Sequence, residues 1–245
     1  MSENKGKRIT LVTGANKSIG FEVARQLAER GDTVLIGARN EERGREAEDK
    51  LKAEGFDAHF VHLDVEDAET HQTAAKFVAE KFGKLDVLVN NAGIALDANF
   101  KASTVPQDLL RKTFDTNFFG VIALTQALLP LLKKSDAGRI VNVSSGLGSL
   151  TLHGDPEWEF YDVKLLAYNS SKTALNAFTV MLAHELKDTN IKVNSADPGF
   201  TATDLNGHSG YKTVEQGASV IVDLATLPDD GATGSYFDDK GVVPW

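Results

Sequence analysis

The stretch Ile9-Thr10-Leu11-Val12-Thr13-Gly14-Ala15-Asn16-Lys17-Ser18-Ile19-Gly20 runs from a β-branched apolar segment into a glycine-bounded turn and out into a helical pattern. Ile19, Val23, Leu27 and Ala28 recur at three- and four-residue steps, and Gly31 stands where that helix should stop. The order is strand, tight loop, helix. A loop feeding a helix N-terminus presents unpaired backbone N–H groups and the positive end of the helix dipole, which suits a pyrophosphate. Gly14, Asn16, Lys17, Ser18, Ile19 and Gly20 are the residues expected to meet it. Gly14 permits the turn, and Gly20 lets the helix lie close to the strand. Between them Ser18 stands where a glycine would let backbone approach phosphate. At positive φ a serine there carries roughly 1 kcal/mol of strain, which a hydroxyl hydrogen bond to phosphate would offset.

Downstream the same alternation repeats. Asp32 to Asn40 contains a second short strand, 41–55 a charged helix, Ala58 to Leu63 a third strand and 67–82 a helix closed by Gly83. Leu85 to Val89 is a fourth strand, followed at once by Asn90-Asn91-Ala92-Gly93. A long helix from about Pro106 to Leu132, a strand Arg139–Val143, a helix from about Ala167 to Leu186 and a strand Ile191–Ala196 continue the pattern. It finishes with a helix from about Val214 to Leu227 and a strand around Ser235 to Phe237. Strands alternating with helices specify an α/β fold, a doubly wound parallel sheet of about seven strands with helices on both faces. No linker or repeat interrupts 1–245, so one domain is expected.

The end of the second strand is where a dinucleotide site chooses its cofactor. An acid there binds the ribose 2′-OH, whereas a cation accepts a 2′-phosphate. The sequence offers Ala38 and Arg39, with Lys17 as a second cation, so NADP(H) is expected over NAD(H). Asp64, with Val65 beside it, ends the third strand where an adenine amino group would be bound; helix capping is the competing role.

Composition narrows the classes further. The chain has 245 residues, 42% of them hydrophobic, enough for a full core, and a formal charge of −9 with no basic run. Nucleic acid and anionic membrane are therefore not expected partners. The sequence shows no apparent membrane span, and the polar start 1–8 lacks an apolar signal segment, so a cytoplasmic protein is expected. With no cysteine, disulfides, thiol nucleophiles and thiolate metal sites are all absent. His59 and His62, three apart on a strand, face opposite sides, and no metal site is expected.

Thr13-Gly14 with Ser18-Ile19-Gly20, Asn90-Asn91-Ala92-Gly93, Asn117, Ser144-Ser145, Tyr168-Asn169-Ser170-Ser171-Lys172 and Pro198-Gly199 together resemble the short-chain dehydrogenase/reductase family, over nearly the whole chain. The resemblance implies a Rossmann-type sheet and a catalytic set of Asn117, Ser145, Tyr168 and Lys172, with Ser144 as the competitor of Ser145. It also implies cofactor contacts from Asn91, Ala92, Gly93, Tyr168, Lys172, Pro198, Gly199, Thr201 and Thr203, the Thr201 backbone meeting the carboxamide. The chemistry has its own reasons. Tyr168 and Lys172 lie four apart, on one helix face. A phenol of ordinary pKa, roughly 10, is a poor acid-base catalyst at neutral pH, and a nearby ammonium is expected to lower it. Ser145, at a strand's carboxyl end, can donate to an oxygen as negative charge develops. By resemblance, Asn117 holds a water that links the lysine to solvent.

Twenty-two residues (146–167) separate Ser145 from Tyr168, longer than the shorter arrangement usual in the family. An insertion at about 146–166, with the sequence of the C-terminal tail, resembles the carbonyl-reductase branch. Asp155-Pro156-Glu157 reads as a short helix start, and Trp158, Phe160 and Tyr161 as an apolar substrate wall or as core filling. The glycine-rich polar segment at about 199–213 suits a lid over cofactor and substrate. The expected activity is NADPH-dependent reduction of a small apolar ketone or aldehyde, with reversible oxidation of the secondary alcohol. A ketoreductase acting on carrier-protein thioesters and a non-catalytic NADP(H)-sensing regulator are the alternatives. Monomer and homo-oligomer both stay open.

Overall fold

The computed structural model describes residues 6–245; of the polar start, residues 1–5 lie outside the described residues. Five-residue β1 (Ile9–Thr13) is buried throughout, as are β2 (Thr33–Ala38), β4 (Val87–Asn90) and β5 (Arg139–Val143). Burial on both faces explains their unbroken apolar runs. Adjacent residues of one strand feed opposite cores. Val12, Val34 and Val89 pack with Val23 and Leu27 of α1 (Ser18–Glu29) and Ile221 of α8 (Val214–Ala225). Leu11, Leu35 and Leu88 pack instead with Val78 of α3 (Ala68–Lys81), Leu124 of α5 (Gly120–Leu132) and Leu182 of α7 (Leu166–Glu185).

The strand order is β3-β2-β1-β4-β5-β6-β7-β8, where β3 is Ala58–His62, β6 Lys192–Ala196, β7 Tyr236–Asp238 and β8 Gly241–Val242. The first seven strands are parallel. The eighth, beyond the expected seven, is a two-residue antiparallel return onto β7. From β1 the chain winds outward through β2 and β3, then restarts on the other side with β4, which opens a crevice at the carboxyl ends of β1 and β4.

Three local expectations need correction. The long helix is not continuous: α4 (Gln107–Phe114) passes through a π turn, Asp115–Phe119, before α5. The run Gln107–Leu132 contains, contrary to the sequence reading, an 18-residue window apolar enough to cross a membrane by length and composition, with mean hydropathy 1.3. Half of that window is buried in the fold, where Leu124 and Leu128 pack in the core. Finally, the short helix of the 146–166 segment is α6 (Leu150–His153), capped by Ser149 Oγ accepting Leu152 N–H at 3.1 Å. Asp155-Pro156-Glu157 starts no helix: Asp155 Oδ1 accepts Glu157 N–H at 3.0 Å, and successive tight turns follow through Val163. A side chain that bonds its neighbour's backbone competes with helix at that position.

Candidate active site

The carboxyl ends of the strands enclose a crevice of about 440 Å³. Its first wall is the loop Gly14–Gly20. Gly20 has no alternative, because a Cβ there would stand 2.4 Å from Asn91 Nδ2 and 2.6 Å from Gly14 O. Ser18 sits at φ 51, so the strain expected of it is present. No side chain caps the start of α1, and Asn16, Lys17, Ser18 and Ile19 face the crevice. An uncapped twelve-residue helix opening onto a cleft fits a pyrophosphate.

Behind this loop the Asn90–Gly93 tetrapeptide locks β4 to β1. Thr13 Oγ1 accepts the N–H groups of Asn91 and Ala92, each at 2.9 Å, and Asn91 Nδ2 donates to Thr13 O at 2.8 Å. Asn91, Ala92 and Gly93 line the crevice. Asn90, fully inside, donates to Asn142 Oδ1 at 2.8 Å.

At the end of β2, Arg39 is exposed and lines the crevice, together with Arg43 one helical turn later on α2 (Glu41–Ala53). Arg43 was missed in the sequence, because a charged residue in the first turn of α2 reads as solvated surface until the β2–α2 turn is seen to bring it to the crevice. Lys17 also lines this wall but forms an ion pair with Asp204 of the 199–213 segment. The second cation expected there is paired: an exposed carboxylate, itself bonded to His208 Nε2 at 2.9 Å, holds it. Asp64 and Val65 line the crevice. Capping falls to Asp67, whose Oδ1 accepts Glu69 N–H at 2.9 Å, while Asp64 Oδ1 accepts Glu66 N–H at 3.1 Å.

At the opposite end lie Tyr168 and Lys172, both buried and both lining the crevice. Lys172 Nζ donates to Val143 O at 2.7 Å and stands 5.7 Å from the centre of the Tyr168 ring. Burial pushes the phenol up to about 12; the Ser145 hydroxyl pulls back, and the Asp197 carboxylate pushes further up. Burial also holds Lys172 down to about 8. The expected lowering of the tyrosine by the lysine is therefore overturned in the protein without nucleotide. Desolvation outweighs an ammonium that is bonded to a carbonyl.

Of the serine pair, Ser145 is the one whose hydroxyl acts on Tyr168, and it accepts Leu147 N–H at 3.3 Å. Ser144 lines the crevice with an unpartnered buried hydroxyl. Asn117, in the π turn, is fully buried and outside the crevice wall. Its Oδ1 accepts Ile94 N–H and its Nδ2 donates to Ile94 O, both at 2.8 Å, with a further bond to Ser171 Oγ at 3.0 Å. The π turn thus aims an amide that ties the loop after β4 to α7.

Pro198 and Thr203 line the crevice; Gly199 and Thr201 are not part of its wall. Thr201 N–H donates to Gly199 O at 2.8 Å, which corrects its expected availability to a carboxamide. Gly199 sits at φ 70, and the tight turn it permits consumes that N–H. An aromatic run crosses from the 146–166 segment to the 199–213 segment, outside the residues that line the crevice. Trp158, Phe160, Phe200 and Tyr211 follow one another edge to face at 5.6, 5.6 and 5.9 Å.

The sequence profile described as short chain dehydrogenase matches residues 8–213. The chain belongs to the short-chain dehydrogenase family. As in that family's oxidoreductases, the chain is an enzyme of the NAD(P)-dependent class acting on CH–OH groups. Among similar short-chain dehydrogenases, (-)-isopiperitenone reductase of Mentha piperita is 36% identical over 97% of this chain and 98% of the relative. Carbonyl reductase 1 (NADPH) of Mus musculus is 34% identical over 99% of this chain and 100% of its own length. The structure of NADPH-bound carbonyl reductase from chicken fatty liver superposes with a TM-score of 0.86 at 27% identity, covering 98% of this chain and 99% of that one.

Proposed function

We propose that this short-chain dehydrogenase is an NADP(H)-dependent carbonyl reductase acting on small apolar ketones or aldehydes, with the alcohol oxidised in reverse. The observation that carries the reading is Tyr168, buried with Lys172 at the crevice end opposite Arg39 and Arg43. When bound, NADPH supplies the hydride. The uncapped start of α1 would hold its pyrophosphate, Arg39 and Arg43 its 2′-phosphate, and Lys172 its ribose hydroxyls. Tyr168 Oη then gives its proton to the carbonyl oxygen while Ser145 Oγ donates to the same oxygen as charge builds. A phenol held at about 12 is fully protonated at neutral pH, the form a reduction requires. Asn117 fixes α7 against the Ile94 backbone and so fixes where Oη stands.

The aromatic run supports an apolar substrate, since it joins the two segments that flank Ser145 and Pro198, with Trp158 beside the Gly146 turn. The 199–213 segment would act as the lid, with Lys17 and Asp204 joining it to the glycine loop. The carrier-protein alternative needs a basic mouth. Lys212 is paired with Asp239 at 2.8 Å, and the neighbouring 155–162 stretch carries Asp155, Glu157, Glu159 and Asp162. A nucleotide-sensing regulator has no use for the buried tyrosine. The test follows nicotinamide absorbance over a panel of aromatic ketones, ketoesters and quinones. NADPH oxidation with members of the panel is expected; tight NADPH binding without turnover anywhere on it would favour the sensor.

A further inference from the structure

Glu66 follows β3 and has no part in the steps above. Its side chain is 22% exposed, and with Thr116 it lines the crevice alongside Asp64 and Val65. One carboxylate oxygen forms an ion pair with Lys112 of α4; the other, Oε1, stands 2.6 Å from Thr116 Oγ1 in the π turn. The threonine hydroxyl also lies 3.2 Å from Lys112 O, but its one proton goes to the nearer, charged acceptor. Main chain closes the same contact. Gly120 ends the π turn, and a Cβ there would stand 2.2 Å from Val65 O.

The residue after Thr116 is Asn117. Neighbours on a helical turn point roughly 90° apart, so the direction of Thr116 sets that of Asn117. The Asn117 amide is fully committed: two bonds go to Ile94 and one to Ser171 Oγ, which in turn donates to Tyr168 O at 2.7 Å. A Cβ on Gly93 would lie 3.3 Å from Asn117 Oδ1 and 3.4 Å from Lys172 Nζ, so amide and ammonium flank one glycine. Direct contacts thus run from the end of β3 to the helix that carries the proton donor. Their middle member is a π turn, a register helices rarely adopt, and side chains grip it on both flanks.

We propose that Glu66 is a positioning residue of the reaction: by accepting the Thr116 hydroxyl it fixes the rotation of the π turn, so that Asn117 holds Ile94, Ser171 and the start of α7 in place. Glu66 acts only through Thr116 and Asn117. The rate effects below rest on reading Tyr168 as the proton donor. The Lys112 pair contributes little, since its ammonium is half exposed. Direct contact with the nucleotide is the competing role for two residues on the crevice wall, and it would register in NADPH affinity.

Thr116→Val removes the hydroxyl at nearly constant volume. With saturating NADPH its kcat is expected to fall roughly tenfold, while substrate KM and the NADPH dissociation constant stay within a few-fold of the wild type. Glu66→Ala should lose a similar amount, and the double variant no more than the larger single loss. Glu66→Gln keeps an acceptor for Thr116 and should recover most of that loss. Amide exchange on protein without nucleotide gives a readout independent of turnover. In Thr116→Val the Ile94 N–H is expected to exchange roughly tenfold faster while the N–H groups of β5 keep their protection. Unchanged Ile94 exchange, or β5 amides quickening with it, would overturn the proposal, as would losses that multiply in the double variant or fall on NADPH affinity alone. A wild type that reduces no ketone or aldehyde would instead overturn the reading of Tyr168, and the exchange measurement would still decide whether Glu66 and Thr116 position Asn117.

Discussion

The two ends of the crevice handle charge in opposite ways. At the adenosine end Arg39 is in water, and the Lys17–Asp204 pair is about half exposed on both sides. At the nicotinamide end Tyr168 is 8% exposed and Lys172 4%, and burial displaces both by about two pH units or more, to about 12 and about 8. Surface pairs contribute roughly 0–1 kcal/mol, whereas a unit of pKa shift is about 1.4 kcal/mol. One end therefore selects its ligand by replaceable contacts. The other holds a neutral phenol beside a buried ammonium that the fold maintains at its own expense.

Lys172→Met should show the largest consequence of that contrast. Turnover is expected to fall by roughly a hundredfold or more, as for loss of a group that positions the proton donor. Stability is expected to move the other way. Lys172 titrates at about 8 when folded against an ordinary 10.5, so the unfolded chain binds the extra proton between these values. At pH 7 the buried ammonium opposes folding by about 3 kcal/mol, less ~1 kcal/mol for the donor it gives Val143 O. The variant should accordingly melt higher than the wild type at pH 7, and the gap should close as pH rises from 8 toward 10.5. A wild type that melts higher at pH 7 would break the contrast.

A smaller effect is expected at the exposed end. Arg39→Asp removes a charge-assisted contact to the 2′-phosphate and places a carboxylate near the ribose, which should shift kcat/KM from NADPH toward NADH by roughly tenfold or more. The kcat with saturating nucleotide should stay near the wild-type value. An unchanged preference ratio would remove Arg39 from the cofactor site and leave Arg43 to account for it.

The sequence made the fold legible where burial leaves a local trace. Strands β1, β2, β4 and β5 are covered on both faces and so appear as continuous apolar runs, and Gly14, Gly31, Gly55 and Gly83 punctuate them at positive φ. The π turn at Asp115–Phe119 left no such trace, because its bonding pattern changes without a break in the apolar pattern. The two residues of β8 were too few to show, and Asp155 disguised a turn as a helix start. At the site, Tyr168 and Lys172 were visible from their spacing together with the motifs around them, while the direction of the phenol's shift was not. Burial and the Val143 carbonyl that accepts the lysine's hydrogen bond are tertiary facts. The same holds for Lys17 and Asp204, which meet across 187 positions of sequence.

The central claim is that Tyr168 Oη hands a proton to the substrate oxygen, and Tyr168→Phe removes that one atom. With saturating NADPH and a ketone that the wild type reduces, the account predicts a single-turnover rate lower by roughly a hundredfold or more, with NADPH affinity and melting behaviour retained. A rate within a few-fold of the wild type would contradict it.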